Sequence, residues 1–451
     1  MSSKEQSKKL IIGLAIGLLF FGVAINFVNM TQASLIGIIA LLVTYWSNEA
    51  LPLGAVSLLP ILLFPAFSIL HVKETTINYA HPIIYLFLGG FLLAIAVEKS
   101  ELHHWIADKI LGIFPSTARG IIFSLAITSG LLSSVLSNTT TTLLLISIAL
   151  FISDDPKIKM RFALAIAYGA SIGGILTPIG TPPNLILLGI MEEKGMALIP
   201  FFQWMWMVAP LVLGMFVVVG FVLSFGVKGI AIEREVNVPP LNSEQKKVLY
   251  VLGGLITLLL LNAPIRPYWN GLGMSEPLIL LGAGLILFLP PFNQLIWKED
   301  APKVPYRIMF LFGAGFSIAK AFSQTGLADV FASYLLDMTS LVPLLLLLMI
   351  AFLITFTTEI TSNTALISIM LPVIYSVSEQ SGINTTLFMM VATVCASYAF
   401  MLPIATAPNA IAMSSGVIDI KTMAKYGLIL NLIGIFLIVM VSYFFWRFIL
   451  V

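Results

Sequence analysis

Two polar, helix-breaking motifs occur twice in this chain, and both copies are separated by one constant offset. Leu136-Ser137-Asn138-Thr139 is answered by Thr361-Ser362-Asn363-Thr364, and Thr177-Pro178-Ile179-Gly180-Thr181-Pro182-Pro183-Asn184 by Leu402-Pro403-Ile404-Ala405-Thr406-Ala407-Pro408-Asn409, each pair 225 residues apart. The same offset, without a gap, pairs Pro52 with Pro277, Leu86-Phe87 with Leu311-Phe312, Gly90-Phe91 with Gly315-Phe316, Ala94 with Ala319, Ala96 with Ala321 and Leu102 with Leu327. Chance does not hold one register over so long a stretch, so the fold has to be two copies of one unit.

The unit belongs in a bilayer. Of 451 residues, 59% are hydrophobic and 10% charged, with a mean hydropathy of +1.04, whereas a soluble domain carries about a quarter charged residues. That balance excludes a cytosolic enzyme, a nucleic-acid binder and a disordered regulator. The single cysteine, Cys395, excludes a disulfide framework and thiolate metal chemistry. Four histidines without a His-x-x-x-His pair argue against a transition-metal site.

A spanning helix needs about 20 mainly apolar residues. On that ruler the chain has eleven crossings, at 10–29, 32–46, 50–70, 83–110, 160–192, 199–227, 247–263, 273–290, 306–336, 386–416 and 425–449. Two longer apolar stretches, 119–154 and 341–378, are interrupted midway by Ser-Asn-Thr and read as re-entrant hairpins. Lys4, Lys8 and Lys9 ahead of the first apolar run outline a signal peptide. That run exceeds the roughly 7 to 15 residues of a signal core and no small-x-small site closes it, so it reads as a span. Trp204 and Trp206 read as interfacial belt residues.

Basic residues test the hairpins, because Lys and Arg accumulate on the cytoplasmic side. With a cytoplasmic N-terminus and both hairpins returning to their own side, Lys4, Lys8, Lys9, Lys109, Arg119, Lys157, Lys159, Arg161, Lys228, Arg234, Lys246, Lys247, Lys298, Lys303, Arg307, Lys421 and Lys425 all fall inside. Only Lys73, Lys194, Arg266 and Arg447 fall outside. Full crossings in place of hairpins would move seven of the inside residues, from Lys228 to Arg307, to the exterior.

Each repeat then holds five crossings and one hairpin, and an odd number of crossings turns the second copy upside down. The expected fold is an all-α polytopic membrane protein with an inverted-topology repeat, the usual build of secondary transporters. Residues 1–29 stand outside the duplication, 30–227 form repeat 1 with an inward hairpin, 228–247 a cytoplasmic linker, and 248–451 repeat 2 with an outward hairpin.

In hydrocarbon a broken backbone leaves unpaired N–H and C=O groups, tolerated only where they line a cavity or are buried in protein. Four such breaks recur here at matched positions, and symmetry brings them to the repeat interface. They offer carbonyls, hydroxyls and amide oxygens to a hard cation, and helix N-termini to an anion. Neither motif contains an arginine. Two equivalent tips facing one cavity suit an anion with two charged ends, a dicarboxylate. A lone Ser-Asn-Thr in an apolar helix is more often a packing contact or a kink; the matched pair, each followed by a Pro-rich break, is what makes it functional. Lys320, Glu98, Lys99 and Glu101, ionisable within nominal spans, read as snorkelling or structurally paired, His103 and His104 as structural, and Glu359 as a neighbour able to tune cation affinity.

At these motifs the chain resembles the divalent-anion/sodium symporter family, transporters of dicarboxylates, tricarboxylates and sulfate. Both Ser-Asn-Thr tips match, and Ser397, Phe400, Pro403, Ala405, Asn409 and Ile411 follow its C-terminal signature, with Ala412 where Val is usual. The resemblance covers nearly the whole chain. It implies an eleven-span homodimer whose transport domain carries both hairpins and moves as an elevator against a fixed scaffold. It implies one sodium site at Ser133, Ser137, Asn138 and the carbonyl of Gly180, and a mate at Thr358, Thr361, Asn363 and the carbonyl of Ala405. Substrate would touch Asn138, Thr139, Asn363 and Thr364, helped by Thr181, Thr406 and Ala407. Ala407 stands where many relatives have proline.

The family holds sodium symporters and sodium-independent anion exchangers on one architecture, and the motifs do not separate them; sodium symport is the favoured reading. An intramembrane hydrolase or transferase would need a nucleophile with a base, or paired acids, at membrane depth, and no span offers a Ser/His or Asp/Asp set. An open channel fits inverted hairpins meeting at one central site less well than alternating access. Succinate, malate, fumarate and 2-oxoglutarate suit the site about equally, while sulfate would underuse two separated tips.

Overall fold

The computed structural model describes residues 3–227, 229–232, 238–264, 268–335 and 342–450. Lys228, Arg234 and Arg266 of the charge census lie outside these, as do parts of the 228–247 linker and the first residue of the expected 341–378 hairpin. Among the described residues the structure is all-helical, and the one β pairing is an isolated bridge between Thr117 and Ala231.

The first half runs α1 (Ser3–Ala24), α2 (Met30–Asn48), α3 (Leu53–Ala66), the short α4 (Val72–Ile77), α5 (Pro82–Lys99), α6 (Leu102–Ile113), α7 (Ala118–Ser133), α8 (Asn138–Phe151), α9 (Pro156–Gly174), α10 (Pro182–Glu193) and α11 (Phe201–Ser224). The second runs α12 (Ser243–Asn262), α13 (Glu276–Leu285), the short α14 (Trp297–Asp300), α15 (Tyr306–Gln324), α16 (Leu327–Leu335), α17 (Pro343–Thr358), α18 (Asn363–Ser381), α19 (Thr385–Ala396), α20 (Ala407–Ser414) and α21 (Ile420–Phe444). Helix starts keep the sequence offset: Ala118 and Pro343, Asn138 and Asn363, Pro182 and Ala407 are each 225 apart.

Local chemistry sets the boundaries. Asn29 with Gln32 and Asn242 with Gln245 form capping boxes at α2 and α12, and Thr117, Asn384 and Asp419 cap α7, α19 and α21. Among the described residues five helices are long and apolar enough to cross a membrane, Lys4–Ala24, Met30–Asn48, Val72–Lys99, Phe201–Ser224 and Ile420–Phe448. Several of the other expected spans are divided. The 160–192 and 386–416 segments unwind over 175–181 and 397–406, at the Pro-containing motifs. Two further breaks were not foreseen: 83–110 stops at Lys99 and restarts at Leu102, with Glu101 left-handed (φ 57), and 306–336 is cut at Thr325 and the left-handed Gly326. Neither carries a proline, which is why hydropathy alone ran through them.

The helix pairs around the two tips are seated differently. A Cβ on Gly173 of α9 would lie 2.1 Å from the Cα of Gly130 in α7, so these backbones touch, and no side chain larger than hydrogen fits. The positions 225 further on are Thr355 and Tyr398. Phe162–Gly174 of α9 is buried throughout, making this helix the centre of the larger apolar cluster. A smaller cluster joins α2, α3 and α15 through Leu42, Trp46, Phe64, Leu311 and Phe322. α1 turns Ile11, Leu14, Leu18 and Phe20 outward, a face that only hydrocarbon solvates well.

Trp204 corrects an expectation. It is fully buried, and its Nε1 donates to the Ile175 carbonyl at 3.0 Å, closing an acceptor that the break after α9 leaves free. Trp206, two residues on, is 64% exposed and remains at the surface.

Candidate functional site

At the first tip α7 ends on Ser133 and α8 begins on Asn138, and the Ser133 hydroxyl donates to Asn138 Oδ1 at 2.5 Å. At the second, α17 ends on Thr358, α18 begins on Asn363, and the Thr358 hydroxyl donates to Asn363 Oδ1 at 2.6 Å. Thr358 Oγ1 also lies 2.8 Å from the Ala396 carbonyl. The same hydroxyl-to-amide contact thus recurs at positions 225 apart.

The unwound segments carry a second matched device. Asn184 Nδ2 donates to the carbonyls of Gly174 (3.4 Å) and Thr177 (2.9 Å), and Asn409 Nδ2 to those of Ala399 (2.9 Å) and Leu402 (3.0 Å). Each asparagine bridges the break ahead of its own half-helix and satisfies carbonyls that the missing turns leave free. Both side chains are fully buried, and each Oδ1 has no partner among the described residues. The sequence marked these asparagines only as motif members; their bracing role appears in three dimensions.

A cavity of about 450 Å³ brings the breaks together. Ser137, Asn138, Thr139, Gly180, Thr181, Thr361, Asn363, Thr364, Ala405, Thr406 and Ala407 all line it. Ser133 and Thr358 do not; they lie fully buried just behind Asn138 and Asn363. Four helix N-termini open on the same space, since the caps Ser137, Thr181, Ser362 and Thr406 of α8, α10, α18 and α20 are all in its wall. Each presents the positive end of its helix dipole, suited to an anion; α8 and α18 add the backbone N–H groups of their first residues and α20 that of Ala407, whereas α10 opens on Pro182 and Pro183, which have none. Among the described residues no Lys or Arg lines the cavity. Further lining, which sequence reasoning did not assign, comes from Trp46, Ser47, Glu49 and Leu53 around the α2–α3 turn, with Phe87, Phe91 and Ile308.

Two of the ionisable residues inside nominal spans, Lys320 and Lys99, are paired. Lys320 reaches Glu193 at 3.8 Å, Lys99 reaches Asp300 at 2.7 Å, and His103 Nδ1 meets the Val97 carbonyl at 3.2 Å. Glu359 is buried, accepting from the Met401 and Leu402 amides at 2.9 and 3.0 Å and from Asn431 Nδ2 at 2.7 Å. It fastens the second tip to the unwound 397–406 segment.

This is the fold of a polytopic, all-helical membrane transporter, with a polar site assembled from broken helices. Among solved structures it resembles the Alcanivorax borkumensis YdaH transporter, described as having an unusual topology, at a TM-score of 0.61 and 16% identity over 83% of this chain and 87% of that one. Neisseria gonorrhoeae MtrF, described within a class of antimetabolite efflux pumps, also aligns at 0.61, with 14% identity over 92% and 95%. These show likeness of fold. Residues 39–393 match the citrate transporter family. The sodium-dependent dicarboxylate transporter SdcS of Staphylococcus saprophyticus is 32% identical over 98% of this chain and 93% of its own length, and that of Staphylococcus aureus 31% over the same shares. The chain therefore belongs to the divalent-anion/sodium symporter family, is a transporter and is not an enzyme.

Proposed function

We propose that this protein is a secondary active transporter that couples sodium to the uptake of four- and five-carbon dicarboxylates: succinate, malate, fumarate and 2-oxoglutarate. The observation that carries the reading is a cavity lined by four helix N-terminal caps and by the asparagines of two matched hydroxyl–asparagine pairs, with no cationic side chain among the described residues. Helix ends alone hold a dianion weakly, at about 0.3 to 1 kcal/mol each in exposed settings. Cations bound beside it supply the missing charge. In this reading Ser133, Ser137, Asn138 and the Gly180 carbonyl hold one sodium, and Thr358, Thr361, Asn363 and the Ala405 carbonyl the other. Asn138, Thr139, Asn363 and Thr364 then meet the two carboxylates, with Thr181, Thr406 and Ala407 along the wall. The relatives' names, both sodium-dependent dicarboxylate transporters, support the same choice.

On this account the chain has eleven crossings and two re-entrant hairpins, a cytoplasmic N-terminus and two inverted repeats at 30–227 and 248–451. The hairpins and broken helices travel as one body past a scaffold that pairs two copies of the chain in the cell membrane. Sodium and anion binding are linked, so each raises the affinity for the other by the same factor. Calorimetric titration of the purified protein with succinate, in sodium and in choline, tests this. Binding in sodium and at least tenfold weaker binding in choline is expected; equal affinity in both would remove the coupling.

A further inference from the structure

Among the described residues one that lines the cavity carries a formal charge, and its sign is opposite to that expected of an anion site. It is Glu49. This residue follows α2 with an exposed side chain, in the left-handed conformation (φ 52, ψ 40) that residues with a β-carbon seldom adopt. Asn48 Oδ1 accepts from the Ala50 amide at 2.9 Å, Asn48 Nδ2 donates to the Lys9 carbonyl at 3.2 Å, and Gln6 Nε2 to the Ala50 carbonyl at 3.2 Å. Both neighbours of Glu49 are thus fastened to α1, and the turn holds Glu49 in the cavity lining with its side chain exposed. Among the described residues the Glu49 side chain has no hydrogen bond, and no ion pair joins it to Arg307, next to the lining residue Ile308.

A carboxylate only accepts hydrogen bonds, so it has nothing to offer a carboxylate substrate directly. What it contributes is a field that attracts cations and repels anions in proportion to their charge. We propose that Glu49 is the charge-selecting residue of the transport site: it favours cation entry and sets the preferred substrate as a dianion over a fully ionised tricarboxylate. This rests on the dicarboxylate reading above and sharpens it, in a family whose description names citrate. Two sodium ions balance a dianion; a third negative charge would face Glu49 uncompensated. Coulomb's law for charges about 10 Å apart, between water-like and protein-surface dielectric, gives about a fivefold penalty per added unit of substrate charge.

The test compares wild type with Glu49→Gln, Glu49→Asn and Glu49→Asp in proteoliposomes. The readout is the ratio of inhibition constants of citrate and malate against labelled succinate uptake, at about pH 8, where all their carboxylates are ionised. Glu49→Gln is expected to move that ratio about fivefold in favour of citrate and to raise the half-saturating sodium concentration, with the ratio change shrinking as choline chloride is added. Glu49→Asn tolerates the left-handed turn and stands in if the Gln variant fails to fold. Glu49→Asp keeps the charge and should keep the wild-type ratio. An unchanged ratio in the neutral variants, or an equal change in Glu49→Asp, overturns the inference while leaving dicarboxylate transport intact. Absence of succinate uptake by wild type would instead overturn the reading on which it rests.

Discussion

Replacing Thr358 with Val tests whether the second tip is a cation site. Thr358 is fully buried, and its hydroxyl lies 2.6 Å from Asn363 Oδ1 and 2.8 Å from the Ala396 carbonyl. Val keeps the branched shape and removes only the oxygen. If that oxygen is a cation ligand, its loss falls in the range of hydrogen bonds to charged groups, about 1.5 to 3 kcal/mol, so the half-saturating sodium concentration should rise about 10- to 100-fold. Thr358→Ser retains the hydroxyl and should stay within about threefold. The assay is the initial rate of succinate uptake as a function of sodium, with elution of the variant as a single detergent-solubilised species as the folding control. Equal behaviour of the Val and Ser variants, or a sodium curve that stays put while succinate half-saturation moves, would refute the assignment.

Other consequences follow from the packing and the surface charges. Gly173→Ala forces a methyl into the Gly130 backbone and should destabilise the protein by about 1 to 3 kcal/mol or more, seen as a lower melting temperature in detergent. Gly253→Ala, whose added Cβ meets nothing within 4 Å, should not. Trp204→Phe should cost about 1 to 2 kcal/mol through the lost donor to Ile175. Burial alone would raise the Asp300 pKa, but Lys303, Lys99 and the Ile296 amide outweigh it and hold the carboxyl at about 2. A depressed folded-state pKa stabilises above the unfolded value of about 3.9 and is lost as pH falls toward the folded one. The melting temperature of Asp300→Asn should therefore lie below wild type at neutral pH, with the gap closing between about pH 4 and 2.

The sequence carried the breaks because proline and Ser-Asn-Thr disturb an apolar helix wherever they stand, and the offset carried their pairing. The breaks after Lys99 and Gln324 escaped because no proline marks them; Glu101 and Gly326 turn the chain by adopting left-handed backbone. Trp204 looked like a surface tryptophan from its place at a span start, and only the unwound neighbour that needs its N–H explains its burial. Glu49 was missed for a related reason. In the sequence it sits in the short connection between two expected spans, where an acidic residue reads as loop, and tertiary packing alone brings that turn to the same cavity as the tips. The matched roles of Asn184 and Asn409 likewise depend on which carbonyls the breaks leave free.

The central claim is coupling of a dicarboxylate to sodium through one shared site. Uptake of labelled succinate into proteoliposomes, empty or preloaded with unlabelled dicarboxylate, each with an inward sodium gradient and without sodium, addresses it most directly. The account predicts concentrative uptake into empty vesicles only when sodium is supplied. Uptake confined to preloaded vesicles and indifferent to sodium would make the protein an exchanger and contradict the cation sites at Asn138 and Asn363.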